Sequence, residues 1–352
     1  MKIAPIVAEM RQSPGLEPFL IHTGQHYDES MSEVFFRELG IPAPDYNLGI
    51  GSGTHTWQTA QVMLALEPLL VELKPDCVLV VGDINSTLAA ALVAAKLGFP
   101  LAHVEAGLRS LDRSMPEEIN RVLTDAVSDY LFTTSRDAND NLAREGIRDE
   151  KVFFVGNVMI DTLLRNHSRA KALQVPARYG MAPGGYALLT LHRPSNVDSL
   201  GSLVNILGIL GEIQTRLPIL FSVHPRTLKR LVEFGLAQRL KAIPGIRLLE
   251  PLGYLEFLGL MAEARLVLTD SGGIQEETTV LGVPCLTLRD NTERPITVSQ
   301  GTNEVVGTSP ERVVAASWRV LDGGGKKGGL PELWDGRAAE RIVAVLRDKV
   351  RR

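Results

Sequence analysis

Short runs of Val, Leu and Ile recur between longer amphipathic stretches along most of this chain, and that alternation constrains the fold more than any other feature. Apolar runs of this length, bounded by turn residues, read as strands buried on both faces. A parallel sheet covered by helices on each side is the arrangement that buries them. The runs fall near 17–23, 76–82, 99–104, 129–134 and 152–156, then near 186–191, 218–223, 246–250, 265–269 and 284–288. Thr56 to Leu73 and Ser202 to Leu217 are typical of the amphipathic segments between them. The alternation predicts right-handed βαβ units. At 352 residues the chain exceeds a single-domain length. Its pattern breaks around Arg165 to Gly185, where Lys, Arg, Pro and Gly cluster. The expectation is an α/β protein of two Rossmann-like, doubly wound domains, 1–165 and 166–336. After a Gly-rich stretch at 322–329, a last helical pattern from Gly336 to Lys349 leaves segment 337–352 free to pack back on the first domain. Met1 to Arg11 reads as helix where such a domain normally opens with a strand, so that first strand is missing from the expected set.

Composition excludes several classes. Hydrophobic residues make up 45% and charged residues 22%, enough for a large core. With 37 basic and 41 acidic side chains the net charge is −4, which disfavours a nucleic-acid partner. Cys77 and Cys285 sit in apolar runs and fit neither a disulfide framework nor a metal site. No apolar stretch approaches the roughly 20 residues that cross a bilayer, and the N-terminus lacks a signal-peptide layout. A cytoplasmic chain with no membrane partner and no metal is expected.

Open parallel sheets bind ligands beyond the carboxyl ends of their strands, so the chemistry is sought there. One strand ends at Asp83 ahead of Asn85-Ser86-Thr87, where capping of the next helix is the favoured reading. Another carries His103 and Glu105, which strand alternation puts on one face; a buried ion pair of Glu105 with Arg109 has even odds. Met115-Pro116-Glu117 opens a helix on which Glu117 and Arg121 can pair at i, i+4. Asp83, Glu105 and Glu117 would then be three acids around one cleft, an arrangement suited to proton transfer. The second half offers cations. His192-Arg193 and His224-Pro225-Arg226 follow strands at equivalent positions and suit an anion. Thr269-Asp270-Ser271-Gly272-Gly273 runs from strand into helix, where bare amides cradle phosphate. Glu277, one turn in, would repel phosphate and fits ribose hydroxyls, and Arg294 adds a cation at the same edge. No GxGxxG stands in a strand–turn–helix frame, so a nicotinamide cofactor is unsupported.

These motifs together resemble one family. GDINST at 82–87, HVEAGLRS at 103–110, MPEEINR at 115–121, HPRT at 224–227, TDSGGIQEE at 269–277 and RDNTERP at 289–295 are similar to the non-hydrolysing UDP-N-acetylglucosamine 2-epimerases. The segments at 23–36 and 46–55 look like the archaeal-type branch, and also resemble a sister branch acting on UDP-2,3-diacetamido-2,3-dideoxyglucuronate. The resemblance implies a GT-B architecture with the active site in the interdomain cleft, a homodimer, no cofactor, and UDP-sugar as the partner. It implies inversion at C2 by anti elimination and re-addition of UDP, supplying surface polysaccharide synthesis. It puts Asp83, Glu105, Glu117 and Arg121 at the sugar, with His192 beside the leaving phosphate. Ser271, Gly272 and Gly273 would hold the diphosphate, Glu277 the ribose, with Arg294 nearby. Lys2 follows the position of a Gly-Thr-Arg-Pro-Glu turn whose arginine lines the family's active site, so the chain as given is expected to fold and work poorly. Gln25 and His26 match a regulatory region of bacterial members, but Gln61 stands near the position of its arginine, which argues against activation by UDP-N-acetylglucosamine.

Overall fold

The structure, a computed structural model, describes residues 1–24 and 29–350. Gln25 and His26, the candidate regulatory pair, lie outside the described residues. The chain divides into two compact units, Met1–Thr162 with Glu332–Arg352, and Leu163–Pro331.

In the first unit, β1 (Ile21–His22) and β2 (Tyr46–Asn47) form a small parallel pair. A four-stranded parallel sheet follows, with β3 (Val78–Val81), β4 (Leu101–Ala106), β5 (Tyr130–Thr133) and β6 (Val152–Phe154) in sequential order. Every residue of β4 is buried, His103 and Glu105 included, as a strand covered on both faces requires. Helix Ile3–Gln12 contributes Ile6 to a core with Ala102, Val104 and Phe132, which helix Ala338–Val350 completes with Ala338, Ala339, Ile342 and Leu346. Further bonds fix the C-terminal segment to this unit. The Asp161 carboxylate accepts from the amides of Ala338 (3.1 Å) and Ala339 (2.7 Å), satisfying two orphan donors of the helix start. The buried Trp334 indole donates to the Thr134 carbonyl at 2.9 Å.

The second unit is one six-stranded parallel sheet of β7 (Ala187–Thr190), β8 (Ile219–Ser222), β9 (Ile246–Leu249), β10 (Leu266–Thr269), β11 (Cys285–Thr287) and β12 (Asn303–Val305). Its spatial order is β12-β11-β10-β7-β8-β9. The chain therefore winds outward from β7 in one direction and restarts at β10 in the other, which opens a crevice beyond the carboxyl ends of these two neighbours.

All ten apolar runs contain a strand. The sequence reading misses β2 and β12, which are two and three residues long and carry no extended apolar run. It also misreads the stretch after Arg165. Helix Val158–Ala172 continues through it. Leu163, Asn166 and Ala170 are buried at helical spacing. A buried asparagine at the central position hides the periodicity.

Candidate active site

In the first unit Asp83 follows Gly82 directly and the Glu105 carboxylate lies beside that glycine. The N-cap position of the following helix Asn85–Leu97 is Ile84. The Asp83 Oδ2 accepts from Arg121 Nη2 at 2.5 Å. Arg121 is buried on helix Pro116–Val127, and its Nη1 donates to Glu118 Oε2 at 2.6 Å. Glu118 is held in turn by the amides of Ser110 and Leu111, both at 2.9 Å. The sequence reading missed Glu118, the acid that fixes Arg121 and through it Asp83. Glu117, half-buried, precedes it in the first turn of the same helix. Asn120 Nδ2 donates to the Asp83 carbonyl at 2.9 Å, tying that helix to the turn after β3.

Strand alternation fails at β4, and with it the shared face of His103 and Glu105. Glu105 has φ of +75°, and the β4–β5 register shifts between Val104 and Ala106. This irregularity re-aims the carboxylate toward Lys2, with which it forms an ion pair. A side chain at Gly82 (φ +74°) would lie 3.3 Å from Glu105 Oε2 and 3.2 Å from Lys2 Nζ, so glycine alone fits there. His103 is fully buried, with Nδ1 2.6 Å from Asp125 Oδ1 and Nε2 2.8 Å from the Gly82 carbonyl. Arg109 is not the partner of Glu105. It pairs with Asp125 at 2.8 Å and with both oxygens of Glu145 at 2.7 and 2.6 Å. Burial pushes the Asp125 carboxyl up, but His103 and Arg109 together hold it below the usual carboxylate range. This buried ionic layer underpins the strand end that carries Asp83 and Glu105.

The second unit collects its charged residues beyond β7 and β10. Asp270, fully buried after β10, accepts from the amides of His192 and Arg193 and from Asn196 Nδ2. It also lies 3.0 Å from His192 Nδ1. The sequence reading quoted Asp270 within its motif and gave it no role. Ser271 is the N-cap of helix Gly272–Leu281. At Gly272 an added Cβ would sit inside the Arg294 guanidinium and 2.7 Å from Glu293 Oε1. Arg294 therefore packs directly on the helix start, which is less bare than its Gly-Gly sequence suggests. Its Nε meets Glu276 at 2.9 Å and its Nη1 meets Glu293 at 2.6 Å. Arg289 joins Glu293 at 2.8 Å and Arg193 approaches it at 3.7 Å. The guanidinium groups of Arg193, Arg289 and Arg294 thus gather around Glu293 beside backbone amides that favour anions.

Glu277 is buried, and its Oε1 accepts from the Tyr254 hydroxyl at 2.7 Å. Burial, and then the neighbouring Glu276, push its carboxyl up to about 7 against the lowering effect of Tyr254. His224 caps helix Pro225–Glu233, its Nδ1 accepting from the Arg226 amide at 3.1 Å. Its ring centroid is 5.5 Å from that of His192. Burial first, then His192 and Arg226, lower the His224 pKa against the raising effect of Asp270. The exposed Arg226 guanidinium binds Asp198 through Nε at 3.0 Å and Nη2 at 2.5 Å. Among the described residues no three His, Cys, Asp or Glu side chains group as a metal site, and no helix is long and apolar enough to cross a membrane.

Comparison with known proteins agrees with this chemistry. The family model described as UDP-N-acetylglucosamine 2-epimerase matches residues 8–347. A Methanocaldococcus jannaschii protein of that name is 49% identical over 351 residues, covering 98% of this chain and 95% of its own. The crystal structure of the M. jannaschii enzyme in complex with UDP-GlcNAc and UDP matches with a TM-score of 0.92 over 99% of this chain and 96% of that one. A Pseudomonas aeruginosa UDP-2,3-diacetamido-2,3-dideoxy-D-glucuronate 2-epimerase is 43% identical over 340 residues, 94% of this chain and 91% of its own.

Proposed function

The chain belongs to the UDP-N-acetylglucosamine 2-epimerase family and has its GT-B-type fold, and from that premise we propose that it interconverts UDP-N-acetylglucosamine and UDP-N-acetylmannosamine. The C2 proton of the sugar has no adjacent carbonyl to acidify it, so direct removal is too slow. Elimination solves this: a carboxylate takes the C2 proton as the anomeric C–O bond breaks, and the bonding electrons leave with UDP. The resulting 2-acetamidoglucal re-adds UDP at C1 while C2 receives a proton on the opposite face. Atoms and electrons balance with no oxidant.

In this reading Asp83, Glu105 and Glu117 handle the protons, with Arg121 and Lys2 setting the charge around them. The amides of Ser271, Gly272 and Gly273 and the Arg294 guanidinium take the diphosphate, and Glu277 takes the ribose. His192 and His224 stand by the leaving phosphate. Arg226, committed to Asp198, contributes at longer range. The observation that carries the reading is the packing of Arg294 on Gly272, which sets a guanidinium against a helix start beside the β7–β10 crevice. Helix His55–Leu73 exposes Trp57, Leu64 and Val71 at seven-residue spacing, a stripe that supports a homodimer. The product would supply surface polysaccharide synthesis.

The test is incubation with UDP-N-acetylglucosamine in D2O, with the epimers resolved and C2 deuterium measured. UDP-N-acetylmannosamine labelled at C2 is expected. Absence of both epimer and label overturns the proposal, and turnover only of the diacetamido-uronate assigns the sister activity.

A further inference from the structure

The carboxylate of Asp270 is used more heavily than a turn requires. Oδ2 accepts three N–H groups, from Arg193 N at 2.9 Å, Asn196 Nδ2 at 2.9 Å and His192 N at 3.0 Å. Oδ1 faces His192 Nδ1 at 3.0 Å. The acid is completely buried, whereas the His192 side chain is one-third exposed. A carboxylate so surrounded by donors stays ionised, and burial, which works against this, is outweighed by His192, Asn196 and the Arg193 amide. His192 Nδ1 must then carry a hydrogen.

We propose that Asp270 is a positioning residue that fixes His192 with Nδ1–H on the buried carboxylate, leaving Nε2 for the leaving diphosphate. This rests on the epimerase reading above. The neighbouring histidine is fixed the opposite way. His224 Nδ1 accepts the Arg226 amide, so its hydrogen sits on Nε2. Two rings 5.5 Å apart are thereby set in different tautomers by different partners. His192 thereby presents Nε2 to the β-phosphate oxygen as the C1–O bond breaks. A proton brought there from solvent is shared with that oxygen as its charge develops and is returned on re-addition, so none is consumed. His224 acts only as a neutral donor.

Asp270→Asn separates charge from shape. The three donors around Oδ2 hold the amide oxygen there and turn its NH2 group toward His192 Nδ1. Nδ1 is then forced to accept, and the hydrogen moves to Nε2. In 15N-histidine NMR of the UDP-free protein at a pH where His192 is neutral, the native chain is expected to show the Nδ1–H tautomer and Asp270→Asn the Nε2–H tautomer. Exchange of deuterium into C2 should fall by about 10²-fold or more in the variant, by analogy with the tautomer effect in an Asp–His pair, with UDP affinity changed less than tenfold. An Nε2–H tautomer in the native chain, or an unchanged tautomer in Asp270→Asn, overturns the proposal. If Asp270→Asn does not fold, the native spectrum alone decides. Because the NMR measurement needs no substrate, inactivity of the native chain would count against the epimerase reading and leave the tautomer test standing.

Discussion

Glu277, the proposed ribose ligand, costs the fold stability as its carboxyl titrates. Its carboxyl lies in a buried pocket with one hydroxyl partner, Tyr254. The unfolded chain titrates this group near 4.5, whereas the fold pushes it up to about 7. Between those values the folded state holds a proton that the unfolded state has released, so stability falls as pH rises through the window and levels off above it. The difference corresponds to roughly 3 kcal/mol at most. Glu277→Gln removes the titration, so its melting temperature should stay flatter than that of the native chain between pH 5 and pH 8, and should exceed it at pH 8. Parallel curves for the two proteins would show that the carboxyl is not the source. Sequence spacing placed Glu277 one helical turn beyond the Gly-Gly start, but nothing in the sequence marks Tyr254 as its partner. The two residues come from different helices and meet only in the folded unit.

At the level of elements, helix starts follow local rules, whereas the backbone at the end of β4 does not. Pro116, Pro225 and Pro295 each open a helix as the N1 preference predicts, because proline fixes φ and lacks a donor the helix would leave orphaned. The exit of β4 breaks its rule because a positive φ at Glu105 interrupts the period of two. That irregularity separates Glu105 from His103 and gives the carboxylate to Lys2. The start of helix Gly272–Leu281 combines both lessons. Its glycine pair was visible, but the reason for Gly272 is the guanidinium of Arg294, more than twenty positions later in the chain. Gly272→Ala would ordinarily gain helix propensity of about 1 kcal/mol. Here the added methyl must displace Arg294, so UDP binding measured by calorimetry should weaken by about tenfold or more. Native affinity in this variant would mean that Arg294 does not set the anion site.

For the whole molecule, chain order and spatial order part company at the C-terminus. Residues 332–350 close the core of the first unit through Trp334, Ile342 and Leu346, and their helix start rests on Asp161. Truncation after Pro331 uncovers Ile6 and Phe132 and should leave the first unit without a cooperative melt, while the far-UV signal of the second unit persists. Two native-like transitions in the truncated protein would contradict this. Association is a separate property. On the proposed homodimer, Leu64→Glu places a charge in the exposed stripe of helix His55–Leu73, and sedimentation should show dimers for the native chain and monomers for the variant, with little change in melting temperature. A dimer that survives the substitution would locate the interface elsewhere. By itself the sequence determined the α/β class, the strands with apolar runs, and the identity of Asp83, Glu105, His192, Ser271 and Arg294 as the residues at strand and helix ends. Those features follow from local periodicity and from turn chemistry a few residues long. Only the tertiary structure decided which charges neutralise one another, Arg121 with Glu118 and Asp83 and Arg109 with Asp125 and Glu145, and which imidazole meets Asp270. A buried ion takes whichever counter-charge the packed chain brings within a few ångströms, and that distance bears no relation to separation along the sequence.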